Sequence, residues 1–155
     1  IIMSPYEIKQ PEHQTSCVVF NSPHSGRYYP EKFLEMSTLP LTSLRSSEDL
    51  FVDEIFSPIV NLGSIMMVAN FPRSYVDLNR DHTELDPLLV KDLSSFSITP
   101  KVSAGLGVIP RVVNMQRRIY SKKNSIRIAI TITDYFLLLF GLYFSVENCP
   151  PSLHI

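Results

Sequence analysis

The sequence has few cysteines, almost no net charge and no apolar stretch long enough to cross a bilayer. Cys17 and Cys149 are the only cysteines among 155 residues, too few for a disulfide framework or a cysteine-based zinc site. The formal net charge is −1, so we expect no nucleic acid or other polyanion as a partner. The start of the chain lacks a charged segment followed by an apolar core, so we expect no signal peptide and a cytoplasmic location.

A cluster of polar residues at 21–30 directly follows the apolar run 17–20, which predicts a buried strand containing Cys17. In open α/β sheets, ligands bind just outside the carboxyl ends of strands. His24 lies at such a position, and Gly26 allows the backbone to approach a neighbour closely. His24 is therefore a candidate ligand or base. The alternative is a structural or merely exposed histidine.

The segment 71–81 contains two arginines, two aspartates and an asparagine, and it follows a second predicted strand at 63–71. The planar donors of arginine match a carboxylate, and a nearby asparagine can add a hydrogen bond. The segment therefore predicts a binding loop for a small carboxylate. The alternative is a polar turn in which the arginines pair with Asp77 and Asp81.

Apolar residues at 51, 52, 55, 56, 59 and 60 predict a helix over 47–60 with one buried face. The serines before Glu48 and Asp49 resemble a helix N-cap, so both acids are expected in the first turn. There they could simply complement the helix dipole, worth about 0.3 to 1 kcal/mol each. The functional alternative is that one of them joins His24 at a metal.

The remaining sequence indicates one unit without internal repeats. The predicted elements are an extended arm at 1–15, a helical turn at 31–36, a helix and loop at 84–100 that end at Pro100, and a short strand or loop wall at 105–109. The basic residues Arg117, Arg118, Lys122 and Lys123 indicate a solvated helix face.

Together these clusters resemble the N-formylglutamate amidohydrolase family. Four segments in the same order over residues 17–120 carry the resemblance: Ser22-Pro23-His24-Ser25-Gly26 with Pro30, Glu48-Asp49-Leu50-Phe51-Val52-Asp53-Glu54, Arg73-Ser74-Tyr75-Val76-Asp77-Leu78-Asn79-Arg80, and the weaker Gly105-Leu106-Gly107-Val108-Ile109-Pro110-Arg111. The resemblance implies an α/β fold with a mainly parallel sheet flanked by helices, like that of the zinc carboxypeptidases in the phosphorylase/hydrolase-like class. It also implies a zinc-dependent hydrolase of amino-acid degradation that converts N-formylglutamate, in histidine breakdown, to formate and glutamate.

The resemblance also implies a role for each matching position. His24 would be a zinc ligand and Asp49 the carboxylate ligand, with Glu48 as the alternative. Asn79 and Arg80 would hold the substrate carboxylate of an N-acyl amino acid.

Arg73 would lie nearer the scissile amide and stabilise the oxyanion, a role suited to a fixed positive donor. Asp77 would orient one of the arginines.

The sequence departs from the family after about residue 124. The family's third metal ligand, a histidine in an Asp-Cys-His-Ser type segment, and its later catalytic glutamate are not found, and His13, His82 and His154 stand in other contexts. We therefore divide the chain into an N-terminal part of an amidohydrolase domain at 1–124 and an apolar tail at 125–155, which we interpret as a truncation or a shifted reading frame. A membrane segment and a buried strand pair are alternatives for the tail, although the uncharged run 135–146 is shorter than the roughly twenty residues of a span.

Three functions remain open at this point. The chain could be an amidohydrolase for N-formylglutamate or a similar N-acyl amino acid. It could be an inactive remnant of that enzyme that binds a dicarboxylate, or a membrane-associated protein without enzymatic activity. We expect neither a nucleic acid nor a membrane as a partner.

Overall fold

The computed structural model describes residues 4–89, 97–114 and 117–121. Their strands and helices, numbered in chain order, are β1 (Tyr6–Lys9), β2 (Val19–Ser22), α1 (Glu31–Met36), α2 (Leu41–Leu44), α3 (Val52–Phe56), β3 (Ile65–Ala69), α4 (Pro100–Ser103), β4 (Val112–Val113) and β5 (Arg117–Arg118). Two 3-10 helices, Arg45–Ser47 and Ser57–Leu62, flank α3.

A three-stranded sheet with the order β1-β3-β2 forms the centre of the described fold. All five residues of β3 are buried and apolar, as expected for a strand that is paired on both edges and covered on both faces. β2 runs parallel to β3, with Val19 opposite Ile65, whereas β1 runs antiparallel to it. The predicted α/β class is therefore confirmed. A mainly parallel sheet is not, because the described sheet has one parallel and one antiparallel pair.

Aromatic residues from both predicted binding loops pack together in the hydrophobic core. Phe33 of α1 is fully buried, and its ring lies 5.0 Å from that of Tyr75, 6.2 Å from that of Tyr29 and 6.3 Å from that of Tyr120. Aromatic pairs at such distances add to the stabilisation from apolar burial. Because Tyr29 follows His24 and Tyr75 follows Arg73, this cluster holds both loops on one core.

Three predictions differ from the structure in the first half of the chain. The predicted arm at 1–15 contains β1, and Cys17 is exposed and precedes β2 instead of lying in a buried strand. The predicted helix at 47–60 is broken, because Phe51 adopts a left-handed backbone conformation with a φ of 64° just before α3. Glu48 has an extended backbone after the first 3-10 helix, so neither it nor Asp49 lies in a helical turn.

The second half shows two further differences. Pro100 begins α4 instead of ending a helix, and the side chain of Thr99 accepts a hydrogen bond from the backbone of Val102 at its start. Proline suits the first helical position because no intrahelical partner is lost there. Arg117 and Arg118 form β5, which pairs with β4, and not a helix face, although both are exposed as predicted.

The helical turn at 31–36 is confirmed as α1. The predictions for Lys122, Lys123 and the tail at 125–155, including Cys149 and His154, lie outside the described residues. Within 4–89, 97–114 and 117–121, no helix has both the length and the apolar character needed to cross a membrane.

Candidate functional site

The two predicted binding loops leave the carboxyl ends of the parallel strands β2 and β3 and touch one another through their backbones. A Cβ atom at Gly26 would overlap the carbonyl group of Phe71. The backbone N–H of Tyr28 donates to the carbonyl oxygen of Asn70 at 2.9 Å. Glycine at position 26 is therefore required by the close approach, as the sequence suggested, and the approach fixes the distance between the loops.

Asp49 belongs to a third segment that is attached to the His24 loop at three points. Its backbone N–H donates to the carbonyl oxygen of His24 at 3.0 Å, and its own carbonyl oxygen accepts from the Ser25 hydroxyl at 2.9 Å. The side chains meet as well, since Asp49 Oδ2 lies 3.2 Å from His24 Nδ1. The structure thus brings together the two residues that the family resemblance assigns to the metal.

Glu48, the alternative ligand, bonds to residues other than His24. Its side chain is fully buried, accepts a 2.6 Å hydrogen bond from the Tyr29 hydroxyl and contacts Arg45 Nε at 3.3 Å. Burial and the neighbouring Glu48 carboxylate both raise the pKa of the Tyr29 phenol. The geometry therefore favours Asp49 over Glu48 as the carboxylate that lies beside His24.

Asp77 joins the two loops through its carboxylate. Its Oδ1 lies 2.8 Å from His24 Nε2 and accepts from the backbone N–H of Asn79 at 3.0 Å. Its Oδ2 accepts from Arg73 Nε at 3.1 Å and lies 3.6 Å from Arg80 Nε. Burial raises the pKa of this carboxyl group, but the His24 hydrogen bond, the Arg73 charge and the Asn79 amide outweigh burial, and the net shift is downward.

The sequence predicted that Asp77 would orient an arginine, and its contact with Arg73 agrees with that. It did not predict the bond between Asp77 and His24. The bond links residues 53 positions apart, so no local pattern indicates it. The one sequence feature that could have indicated this bond is that each residue follows the end of a predicted strand.

A cavity of about 460 Å³ opens beside these residues, within the usual size range of ligand sites. Charged and polar side chains on one wall face a mainly apolar wall from the segment after α4, and the lining residues are Ser46, Ser47, Glu48, Asp49, Arg73, Ser74, Asp77, Ala104, Leu106, Pro110, Val112, Val113 and Asn114. The predicted strand or loop wall at 105–109 is thus a loop that contributes to this wall. Arg111, which follows it, is held by an ion pair of 2.7 Å with the buried Asp86.

The two residues predicted to bind the substrate carboxylate do not line this cavity in the described structure. Asn79 is exposed, and the Arg80 side chain is only 17% exposed, with a buried Nε near Asp77. Arg73 does line it, so of the three predicted substrate-binding residues only Arg73 faces the cavity directly.

His24 and Asp49 are the residues that the family resemblance assigns to a metal, and their side chains are in contact. Across the described residues, no group of three or more His, Cys, Asp or Glu side chains could hold a metal ion. His82 is exposed and lies 3.6 Å from its neighbour Asp81, and His13 is exposed. A histidine that binds a metal usually has its other ring nitrogen bonded to a carboxylate, and Asp77 occupies that position on His24. The pair therefore fits two ligands of a zinc site with one supporting carboxylate.

The sequence matches the N-formylglutamate amidohydrolase family over residues 16–137. The structure is similar to the crystal structure of N-formylglutamate amidohydrolase from Ralstonia eutropha JMP134, with 26% sequence identity and a TM-score of 0.83. The similarity covers 92% of this chain and 52% of that one, so the chain spans about half the length of this relative. A comparison of the sequence with curated proteins finds no match.

Proposed function

Because the chain belongs to the N-formylglutamate amidohydrolase family, we propose that it carries the zinc and substrate-recognition part of an enzyme that hydrolyses N-formylglutamate to formate and glutamate. The observation that carries the proposal is that His24 is held between Asp49 and Asp77, which line a cavity together with Arg73. A role in amino-acid degradation in the cytoplasm is part of the proposal.

His24 and Asp49 would hold the zinc. The distance of 3.2 Å between Nδ1 and Oδ2 is short enough for one cation to be shared after a small separation of the two atoms. Asp77, bonded to Nε2, fixes the plane of the imidazole ring and increases its basicity. When bound, zinc lowers the pKa of a coordinated water to about 7 and polarises a carbonyl oxygen.

Two arginines beside the cavity can donate to an anionic substrate. Arg73 and Arg80 both contact Asp77, so two guanidinium groups share this one carboxylate. The ion pair of Arg73 uses Nε, and its terminal nitrogens are not part of that contact. We assign Arg73 to the acyl oxygen of the scissile amide. The assignment of Asn79 and Arg80 to the substrate carboxylate rests on the family resemblance and not on the cavity lining.

A second candidate function is supported by the small donor set. No group of three or more His, Cys, Asp or Glu side chains among the described residues could hold a metal ion, so the protein could bind a dicarboxylate without completing a catalytic metal site. Zinc sites that persist usually have at least three protein ligands. This candidate corresponds to an inactive remnant of the enzyme.

The test measures zinc binding and formate release by the purified full chain. We expect weak zinc binding that His24→Ala abolishes, and hydrolysis of N-formylglutamate at no more than the background rate, because two ligands do not hold zinc firmly and no catalytic glutamate is identified. Robust turnover would show that another residue, such as His82, supplies the third ligand. A chain that binds neither zinc nor N-formylglutamate would refute the proposal.

A further inference from the structure

The cavity is larger and more apolar than a formyl group requires. Its volume of about 460 Å³ is typical of sites that enclose a drug-sized ligand, whereas a formyl group adds only a hydrogen to the carbonyl carbon. One side, called here the apolar wall, consists of Ala104, Leu106, Pro110, Val112 and Val113. The cavity therefore offers apolar surface that an N-formyl group leaves uncovered.

The charges of the lining disfavour a substrate carboxylate inside the cavity. Glu48, Asp49 and Asp77 contribute carboxylates to it. Among the lining residues that the structure describes, Arg73 is the one cation, and its Nε is already paired with Asp77 at 3.1 Å. A second anion placed here would be repelled by its neighbours. The part of a substrate that enters the cavity is therefore the part without a carboxylate.

The acyl group is that part. In the proposed function Arg73 bonds the acyl oxygen, and Arg80, which does not line the cavity, bonds a carboxylate of the amino acid. The acyl chain and the amide nitrogen leave the carbonyl carbon in different directions. If the amino acid lies toward Arg80, the acyl chain is directed into the rest of the cavity.

The apolar wall is formed in advance and can be reached by a ligand. Gly105 adopts a φ of 83° directly after α4, and the Leu106 N–H donates to the carbonyl oxygen of Lys101 at 2.8 Å, as in a Schellman motif. The Arg111 N–H donates to the carbonyl oxygen of Gly105 at 2.8 Å. Ala104 is exposed and Leu106 is half-buried. Such a fixed surface needs little ordering when a ligand binds.

We propose that the apolar wall binds an aliphatic acyl chain, so that the ligands of this site include N-acyl amino acids with acyl groups longer than formyl. The inference rests on the proposed function and names the substrate class of the same site. Burial of apolar surface against Ala104 and Leu106 is the source of the added affinity. Each methylene group that becomes buried should tighten binding about two- to fourfold.

Calorimetric titration of the full chain with N-formyl-, N-acetyl- and N-butyryl-L-glutamate tests the proposal. These probes share both carboxylates and the acyl oxygen and differ in the length of the acyl chain. N-butyryl-L-glutamate has two more methylene groups than N-acetyl-L-glutamate, so we expect it to bind about four- to sixteenfold more tightly. N-formyl-L-leucine, whose apolar group belongs to the amino acid, should bind no more tightly than N-formyl-L-glutamate.

Variants of the apolar wall test where the added affinity arises. Leu106→Asn keeps a side chain of similar size without the apolar surface, so the advantage of N-butyryl over N-acetyl should fall to about twofold or less. Ala104→Asn places a polar group on the same wall at an exposed position, where folding tolerates it, and should also reduce the advantage. Leu88→Asn, the matched control, changes an exposed leucine outside the lining and should leave the advantage intact.

Several results would overturn the inference. N-butyryl-L-glutamate could bind no better than N-acetyl-L-glutamate, or the cavity variants could keep the full advantage. Tighter binding of N-formyl-L-leucine would assign the apolar wall to the amino-acid side chain instead. Each of these results leaves the proposed function intact as long as N-formyl-L-glutamate binds. If the unaltered chain bound none of the probes, the inference and the proposed function would both be wrong.

Discussion

Replacing Asp77 by asparagine should destabilise the protein more than any exposed charge change. The Asp77 side chain is 3% exposed, and its two oxygens accept from donors on both sides. An asparagine of the same shape has one oxygen and one NH2 group. If its oxygen faces His24, its NH2 group faces Arg73 Nε and two donors oppose each other. The reverse orientation sets the NH2 group against the backbone N–H of Asn79, which donates to Oδ1 in the unaltered chain.

The size of this destabilisation depends on which charged groups stay buried after the substitution. Removing one partner of a buried ion pair costs about 3 to 5 kcal/mol when the other charge stays desolvated. The Arg73 side chain is 30% exposed and can recover some hydration, while Arg80 is more enclosed. We therefore expect Asp77→Asn to lower the free energy of unfolding by about 3 kcal/mol.

Urea unfolding followed by circular dichroism measures this change. Glu35→Gln, which removes one negative charge from the exposed face of α1, is the matched control and should stay within about 0.5 kcal/mol of the unaltered chain. Zinc affinity should also fall in Asp77→Asn, by about ten- to a hundredfold, because His24 loses the carboxylate that orients it. A loss of stability below about 1 kcal/mol would refute the argument, since it would mean that the four contacts of Asp77 contribute little.

Two further changes test the substrate site and the core. Arg80→Ala should weaken binding of N-formylglutamate about ten- to a hundredfold and leave zinc affinity nearly unchanged, because it removes a charge-assisted contact to the substrate; the reverse pattern would assign Arg80 a structural role. Burial, followed by the nearby Tyr75, raises the pKa of Tyr120, so the folded state binds that proton more tightly than the unfolded chain does. Stability from this group should be complete below about pH 10 and fall as the pH rises further. Tyr120→Phe should reduce that alkaline loss, and an identical pH profile in the variant would contradict the assignment.

The sequence correctly predicted that His24 and Arg73 each lie in a loop that follows a strand. The apolar runs before His24 and Arg73 are strands in the structure, at Val19–Ser22 and Ile65–Ala69, and their parallel pairing brings the following loops together. The strand predictions succeeded because the length of an apolar run and the change from apolar to polar residues at its end are local properties of the sequence.

Features that depend on distant residues were not predictable. β1 is a strand only because Tyr6 pairs with Ala69, and nothing within residues 1–15 indicates that partner. The helix expected over 47–60 fails at Phe51, where tertiary contacts, including the Arg27 guanidinium 5.4 Å above its ring, accompany a left-handed backbone that phenylalanine rarely adopts alone. The choice between Glu48 and Asp49 depended on that same local geometry.

The contact between Gly26 and the Phe71 carbonyl makes the two loops one module for protein engineering. Neither loop could be grafted alone onto another pair of parallel strands, because a side chain opposite the contact would force the loops apart and separate His24 from Asp77. A transplant would have to carry both loops, with the glycine and the strand register of Val19 opposite Ile65. Within that frame, apolar side chains of the opposite wall, such as Leu106, could be exchanged to change which ligands the cavity accepts.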